Sequence, residues 1–108
     1  MHLHVAFAFT ATHTALTLRN VAGEELASEV YPVQGSAACA YWQAVLRALN
    51  MAVTWRAERV SLYTHLGDGP PGCDLWRAAC KVLAERVPGG VTVEQIPVER
   101  NAAARLIE

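Results

Sequence analysis

The four histidines, His2, His4, His13 and His65, have the widest chemical repertoire in this sequence, because imidazole binds metal ions and transfers protons near neutral pH. His2 and His4 are two residues apart in an alternating segment, so a strand would turn both rings to the same side. Such a pair suits zinc or nickel. His13 lies beyond the opposite end of that segment, so we expect no single four-histidine site. We predict surface imidazoles and no resident metal ion.

A second combination of residues would suit acid–base chemistry. His13 follows the first predicted strand and His65 follows the fourth, and open α/β sheets bind their ligands at the carboxyl ends of such strands. Asp68 is the carboxylate nearest to them in the sequence. A hydrolytic centre of His13, His65 and Asp68 is therefore one functional hypothesis.

The remaining acidic and thiol candidates have simpler interpretations. Asp68 lies among glycines and prolines, which predicts a turn, and Asp74 precedes an apolar helix, which predicts a helix cap rather than a metal pair. The three cysteines, Cys39, Cys73 and Cys80, fit neither a disulfide framework nor a paired zinc motif, so we expect reduced thiols. Cys39, at a predicted helix start, is interpreted as a small core residue rather than a nucleophile.

Aromatic and basic residues indicate one candidate binding surface. Trp55 lies between helix and strand beside Arg56 and Arg59, where an indole can stack on a base and guanidinium groups can bind phosphates. Covering the end of the helix is an equally good interpretation of Trp55. Trp42 and Trp76 fall on apolar helix faces and are expected in the core.

Hydrophobic periodicity predicts the elements that must position these residues. Strands are expected at 3–10, 14–19, 25–33, 59–64 and 91–96. Helices are expected at 36–52, 74–87 and 99–108, the first capped by Ser36 and the second with Leu75, Ala79, Val82 and Leu83 on its apolar face. The first three strands should form an antiparallel meander, and the later ones should add in parallel through right-handed crossovers. The chain is therefore predicted to be an α/β protein with a mixed five-stranded sheet in the order β-β-β-α-β-α-β-α and helices on its faces.

Length and charge limit the possibilities further. The 108 residues suit a single domain over 1–108, and nine basic against ten acidic residues give a net charge of -1, so the whole chain offers no general attraction to polyanions. The start of the sequence lacks the pattern of a signal peptide, and no apolar run could span a membrane, so we expect a cytoplasmic protein without a membrane partner.

The element order and four short segments resemble the ribonuclease H-like family. Segment 60–65, ending Thr64-His65, is similar to the fourth strand of that family, which usually ends in Thr-Asp. Segment 97–105, with Asn101, is similar to its closing segment. Ala40-Tyr41 lies where the family commonly has Glu-Tyr, and Phe9-Thr10-Ala11 lies where its first strand runs into Asp.

This resemblance implies a fold without the usual chemistry. Members cleave the RNA strand of an RNA–DNA hybrid with two divalent metal ions held by carboxylates. The four corresponding positions here are Ala11, Ala40, His65 and Arg105. None of these side chains is a hard oxygen ligand, so we expect no cofactor; Mg²⁺ or Mn²⁺ would be required only by a divergent nuclease.

The sequence therefore predicts a non-catalytic ribonuclease H-like binding or assembly module. Nucleic acid, as an RNA–DNA hybrid or a single strand, is the first expected partner, and the candidate contact residues are Trp55, Arg56, Arg59, Arg100 and Arg105. The hydrolytic centre described above is one alternative. Homodimerisation through the third strand, expected at a sheet edge, is the other.

Overall fold

A computed structural model describes all 108 residues of the chain. The five predicted strands and the first two helices are confirmed, with these bounds: β1 His2–Phe9, β2 His13–Arg19, β3 Glu25–Pro32, α1 Ala40–Thr54, β4 Arg59–Thr64, α2 Asp74–Ala84 and β5 Val91–Gln95. Short 3-10 turns lie at Ala37–Cys39, Val98–Arg100 and Ala104–Leu106. Ser36 caps the first of these, since its hydroxyl accepts a hydrogen bond from the Ala38 amide.

The strand pairing also agrees with the sequence prediction. The sheet order is β3-β2-β1-β4-β5, in which β3, β2 and β1 are antiparallel while β4 and β5 add in parallel. β1 is therefore the central strand. Its carboxyl end lies beside that of β4, the position where an open α/β sheet binds ligands.

One side of the sheet carries the main core. Leu3, Val5 and Phe7 of β1 are fully buried, and the alternate residues of the neighbouring strands lie on the same side under α1. α2 packs against α1 on that side. Only the C-terminal 3-10 segment covers the other side, where Ala103 and Ala104 pack on Ala8 of β1. Most of that second face is therefore left without a covering helix.

The predicted third helix is wrong, because the segment forms two separate 3-10 turns. Asn101 lies between them in an extended conformation, and its side chain binds the Phe7 carbonyl and the Ala103 amide. This tertiary contact takes precedence over local helix propensity, because a buried amide side chain must satisfy its hydrogen bonds.

The predicted apolar face of α2 is confirmed only in part. Ala79 and Leu83 are half-buried, and Leu83 packs against the main core, but the other two predicted positions are wrong. Leu75 is 88% exposed and Val82 is 52% exposed, whereas Cys80 is buried. Trp76 is half-buried rather than in the core, and so is Trp42. Asp74 does not cap the helix; it belongs to the first turn, and Cys73 precedes it in a left-handed conformation with φ 56°. The side of α2 that packs on α1 includes Cys80, whose thiol donates to the Trp42 carbonyl, and the sequence pattern did not place Cys80 there.

The expectation of three reduced thiols is corrected by a disulfide. Cys39 and Cys73 are bonded, with their Cα atoms 5.8 Å apart, and they immediately precede α1 and α2. Their separation of 34 residues gives no local signal for the bond. Cys39 is therefore not a free nucleophile. Cys80 is the free cysteine, and burial raises the pKa of its thiol to about 11, so it is unreactive at neutral pH.

Neither helix is long and apolar enough to cross a bilayer.

Candidate functional site

A cleft lies at the carboxyl ends of β1 and β4, where the sequence predicted a site. Most of its lining is apolar, with His65, Thr10 and Glu108 as its polar side chains; the lining residues are Ala8, Phe9, Thr10, His65, Val98, Ala104, Ile107 and Glu108. Glu108 is the only acidic side chain among them. The cleft therefore lacks the paired carboxylates that a two-metal centre requires.

The position of His65 in this cleft is set by Asn101. The buried amide of Asn101 donates through Nδ2 to the Phe7 carbonyl at 2.9 Å, and its Oδ1 accepts from the Ala103 amide at 3.1 Å. These two bonds orient the amide, so Nδ2 also faces Nδ1 of His65, at 2.9 Å, as a donor. Nδ1 must then accept, and the neutral ring carries its proton on Nε2.

This tautomer restricts what His65 can do. Its Nδ1 lone pair is occupied by Asn101, and Nε2 bears the proton. Neither nitrogen of the neutral ring is free to bind a metal ion or to accept a proton from water. His65 is therefore a hydrogen-bond donor to whatever enters the cleft.

The other members of the hydrolytic hypothesis lie elsewhere. His13 is exposed, and its Nδ1 is hydrogen-bonded to Oγ1 of Thr12 at 2.9 Å. Asp68 is exposed in the loop after β4, near Tyr41, where burial first and the Asp68 charge second raise the pKa of the Tyr41 phenol. No hydrogen bond joins His13, His65 and Asp68, and the cleft lining includes only His65.

The four positions that correspond to the family's carboxylates hold no acidic side chain. Ala11 lies in the exposed turn after β1, and Ala40 is fully buried in the first turn of α1. Arg105 is exposed, and its Nη2 donates to the Glu99 carbonyl. Only His65 lines the cleft. No group of three or more His, Cys, Asp or Glu side chains is arranged to hold a metal ion, so the residues present do not fit a divalent metal pair.

A second candidate site lies on the uncovered face of the sheet. The rings of His2 and His4 are stacked, with centroids 4.1 Å apart, and the ring of Tyr63 follows with its centroid 5.8 Å from His4 at an interplanar angle of 17°. His2 Nε2 is hydrogen-bonded to Ser61 Oγ at 2.7 Å, and Tyr63 OH to His4 Nδ1 at 2.8 Å. We call His2, His4 and Tyr63 the ring row.

Three arginines surround the ring row. Arg59 is opposite His2 in the β1–β4 register, and Arg19 is opposite His4 in the β1–β2 register. Arg100 lines a small depression together with Arg19, His4 and Tyr63. The structure contains one ion pair, between the Met1 ammonium and Glu58, so these guanidinium groups have no carboxylate partner.

The predicted binding residues therefore lie on separate surfaces of the structure. Arg59 and Arg100 flank the ring row, whereas Trp55 and Arg56 are exposed at the end of α1 on the other side of the sheet. Arg105 lies near the C-terminus. Arg19 and Tyr63 were missed, because only the pairing of β1 with β2 and β4 brings them beside His4.

Sheet order, crossover pattern and the position of the cleft define a ribonuclease H-like fold. Solved structures of this fold superpose on nearly the whole chain: RNase H1 from Halobacterium salinarum matches with a TM-score of 0.72 and 15% identity, covering 99% of this chain and 94% of its own. The N-terminal RNase H domain of a Mycobacterium tuberculosis protein matches with a TM-score of 0.79 and 13% identity, covering 98% and 95%.

Two further matches were solved with nucleic acid. LC11-RNase H1 in complex with an RNA/DNA hybrid has a TM-score of 0.73 at 13% identity, covering 97% of this chain and 91% of its own. Thermus thermophilus RuvC, in complex with a Holliday junction substrate, has a TM-score of 0.52 at 18% identity, covering 88% and 65%. No protein-family model and no curated protein matches the sequence. At these identities the likeness establishes the fold, which confirms the resemblance inferred from the sequence.

Proposed function

We propose that this chain is a ribonuclease H-like module that binds nucleic acid without cleaving it. The observation that carries the proposal is the composition of the cleft at the carboxyl ends of β1 and β4. Ala8 and Ala104 are among its lining residues, the Nδ1 lone pair of its imidazole is occupied by Asn101, and Glu108 is its only acidic side chain.

Phosphodiester cleavage by two metal ions needs several hard oxygen ligands at one point, because Mg²⁺ binds carboxylates and water rather than imidazole. One carboxylate cannot neutralise and position two divalent ions. At the position that corresponds to one of the family's carboxylates, Arg105 supplies a positive charge instead of an oxygen ligand. The cleft residues therefore support a non-catalytic role.

Nucleic acid is the proposed partner because the arginines are free to bind phosphates. Arg19, Arg59 and Arg100 make no ion pair, although the chain as a whole carries a net charge of only -1. A guanidinium group binds a phosphate through two parallel hydrogen bonds. The likeness to proteins solved with an RNA/DNA hybrid and a Holliday junction supports the same partner class.

Fluorescence anisotropy with a labelled RNA–DNA hybrid, duplex DNA and single strands tests this proposal. Measurements at two salt concentrations, with Mg²⁺ present, are followed by electrophoresis of the probes. We expect binding that weakens steeply with salt, because phosphate contacts release counterions, and probes that remain intact. Cleavage that requires Mg²⁺ overturns the proposal, and so does an absence of binding at low salt.

The same assay distinguishes the hydrolytic hypothesis. If His13, His65 and Asp68 form a rearranged centre, His65→Ala abolishes a cleavage activity that the unmodified chain possesses. Arg86→Gln is a suitable control, since Arg86 is exposed near the end of α2 and away from the cleft. Unchanged, intact probes with all three proteins remove support for that centre.

Self-association is a second candidate function, favoured by the free edge of the sheet. β3 is an edge strand, and its Leu26 and Val30 are 38% and 44% exposed. An unpaired edge with apolar side chains is a template for pairing with a second copy. Light scattering at concentrations on the order of tens of micromolar tests this; a mass of one chain excludes all but weak association.

A further inference from the structure

The uncovered face of the sheet carries a feature that core packing does not explain. The ring row lies on the central strands β1 and β4, on the side of the sheet opposite the main core. His2, His4 and Tyr63 are each half-buried. His2 and His4 cover one face of each other's ring, so the accessible ring surfaces are those at the two ends of the row. The C-terminal segment covers the neighbouring Ala8, and its Arg100 and Ala102 border the depression beside His4 and Tyr63.

We propose that this face is a binding site for single-stranded nucleic acid, with bases stacked on the ring row and phosphates bound by Arg19, Arg59 and Arg100. The inference rests on the proposed function and specifies both the surface and the substrate class. This proposed site on the sheet face is distinct from the cleft lined by His65.

The spacing and orientation of the rings support stacking. The planes of His4 and Tyr63 differ by 17° and those of His2 and His4 by 27°, so the three planes are nearly parallel and a base can stack on the exposed ring face at an end of the row. The hydrogen bonds between Ser61 and His2 and between Tyr63 and His4 hold these orientations before a ligand arrives. Exposed aromatic rings on a sheet stack unpaired bases, because every base has a π face.

The charges around the row select a polyanion. Arg59 and Arg19 lie at opposite flanks of β1, on β4 and β2, and Arg100 adds a third guanidinium group beside the depression at His4. The acidic residues Glu25, opposite Arg19, and Glu94, opposite Tyr63, form no ion pair with them. A phosphate backbone is the complementary ligand.

An unpaired strand fits this surface better than a duplex. Stacking on the row requires a base whose face is free, whereas in a duplex both faces are covered by neighbouring base pairs. Single strands should therefore bind more tightly than duplex DNA of the same length.

Labelled 12-nucleotide oligo(dT) and oligo(U) provide the probes, with blunt duplex DNA and an RNA–DNA hybrid for comparison. Tyr63→Leu should weaken single-strand binding by roughly fivefold to a hundredfold, the effect of losing one stacked base. Tyr31→Leu removes a half-buried tyrosine from β3 on the opposite side of the sheet and serves as the matched control. Circular dichroism melting of both variants separates lost binding from lost folding.

Arg19→Gln and Arg86→Gln form a second matched pair, and both side chains are exposed, so folding is not at risk. Arg19→Gln should reduce the slope of log affinity against log salt by about 0.7, the value for one phosphate contact on a single strand. Arg86→Gln should leave that slope unchanged.

Proton NMR gives a readout that needs no variant. Base stacking should move the imidazole signals of His2 and His4 upfield through ring currents, while exposed His13, at the other end of β1, serves as the internal control. Equal shifts at all histidines would contradict stacking on the row.

The outcomes separate the two proposals. Loss of single-strand binding in Tyr63→Leu and Arg19→Gln, with the controls intact, supports the sheet-face site. If the affinity for single strands is unchanged in these variants but lower in Trp55→Ala or Arg56→Gln, the sheet-face site is overturned and the proposed function stands. Absence of binding to every probe overturns both.

Discussion

The contact between Asn101 and the end of β1 leads to a quantitative prediction for Asn101→Ala. The Asn101 side chain is fully buried and makes three hydrogen bonds, to the Phe7 carbonyl, the Ala103 amide and Nδ1 of His65. Alanine removes all three. It also leaves the fully buried Ala103 without a partner for its amide proton.

The expected cost follows from these contacts. A buried donor left without a partner costs about 1–3 kcal/mol, and each of the other two bonds contributes about 0.5–1.5 kcal/mol. The free energy of unfolding should therefore fall by about 2–6 kcal/mol. For a domain of this size, about 3 kcal/mol lowers Tm by roughly 10–25 °C.

Urea denaturation followed by tryptophan fluorescence, with thermal melting as a second probe, measures this loss. His65→Ala is the matched control, because it breaks only the bond to Nδ1 and leaves Asn101 its two backbone partners. That variant should lose only about 1 kcal/mol. An Asn101→Ala protein that is as stable as His65→Ala would refute the idea that Asn101 anchors the C-terminal segment to β1.

Three further predictions concern the disulfide, a tight helix–loop contact and pH. Replacing both Cys39 and Cys73 by serine should lower the free energy of unfolding by about 2–4 kcal/mol, since a loop closed over 34 residues is released; unchanged urea midpoints would contradict this. Gly69→Ala should cost about 1–3 kcal/mol, measured by thermal melting, because the new methyl group would clash with the rings of Trp42 and Tyr41; an unchanged Tm would show that these rings move aside freely. Burial first, then nearby positive charges, lowers the pKa of His2, so the folded state disfavours its proton, and stability present above pH 6.5 should be lost as pH falls. The unfolding free energy of a His2→Gln variant should then change less between pH 7.5 and 5.5, and an equal change in both proteins would argue against this assignment.

Much of the fold could be predicted from local patterns. Alternation in β1 and β4, and the three- and four-residue spacing of apolar residues in α1, are properties of single segments and specify strand or helix directly. Short turns between the first three strands, and helices before the later ones, then leave few ways to join them. The sheet order follows from that restriction, and so does the ribonuclease H-like topology.

The sequence predictions that proved wrong concern features set by contacts between residues far apart in the sequence. Asn101 interrupts the final segment because its amide binds a strand 94 residues away, and no local pattern contains that partner. The face of α2 and the Cys39–Cys73 bond both depend on how α2 packs beside α1. A disulfide requires its two Cα atoms to approach closely, and sequence spacing does not report that distance.

The candidate sites divide in the same way. The sequence by itself determined that carboxylates are scarce along β1, α1 and β4, since residue identity alone decides whether a ligand for Mg²⁺ exists. Only the tertiary structure determined which side chains come into contact. The hydrogen bond from Asn101 fixes the tautomer of His65, and the pairing of β1 with β4 brings Tyr63 beside His4. Strand pairing and side-chain orientation are set by packing across the whole sheet, so the open face with its ring row emerges only when the strands are assembled.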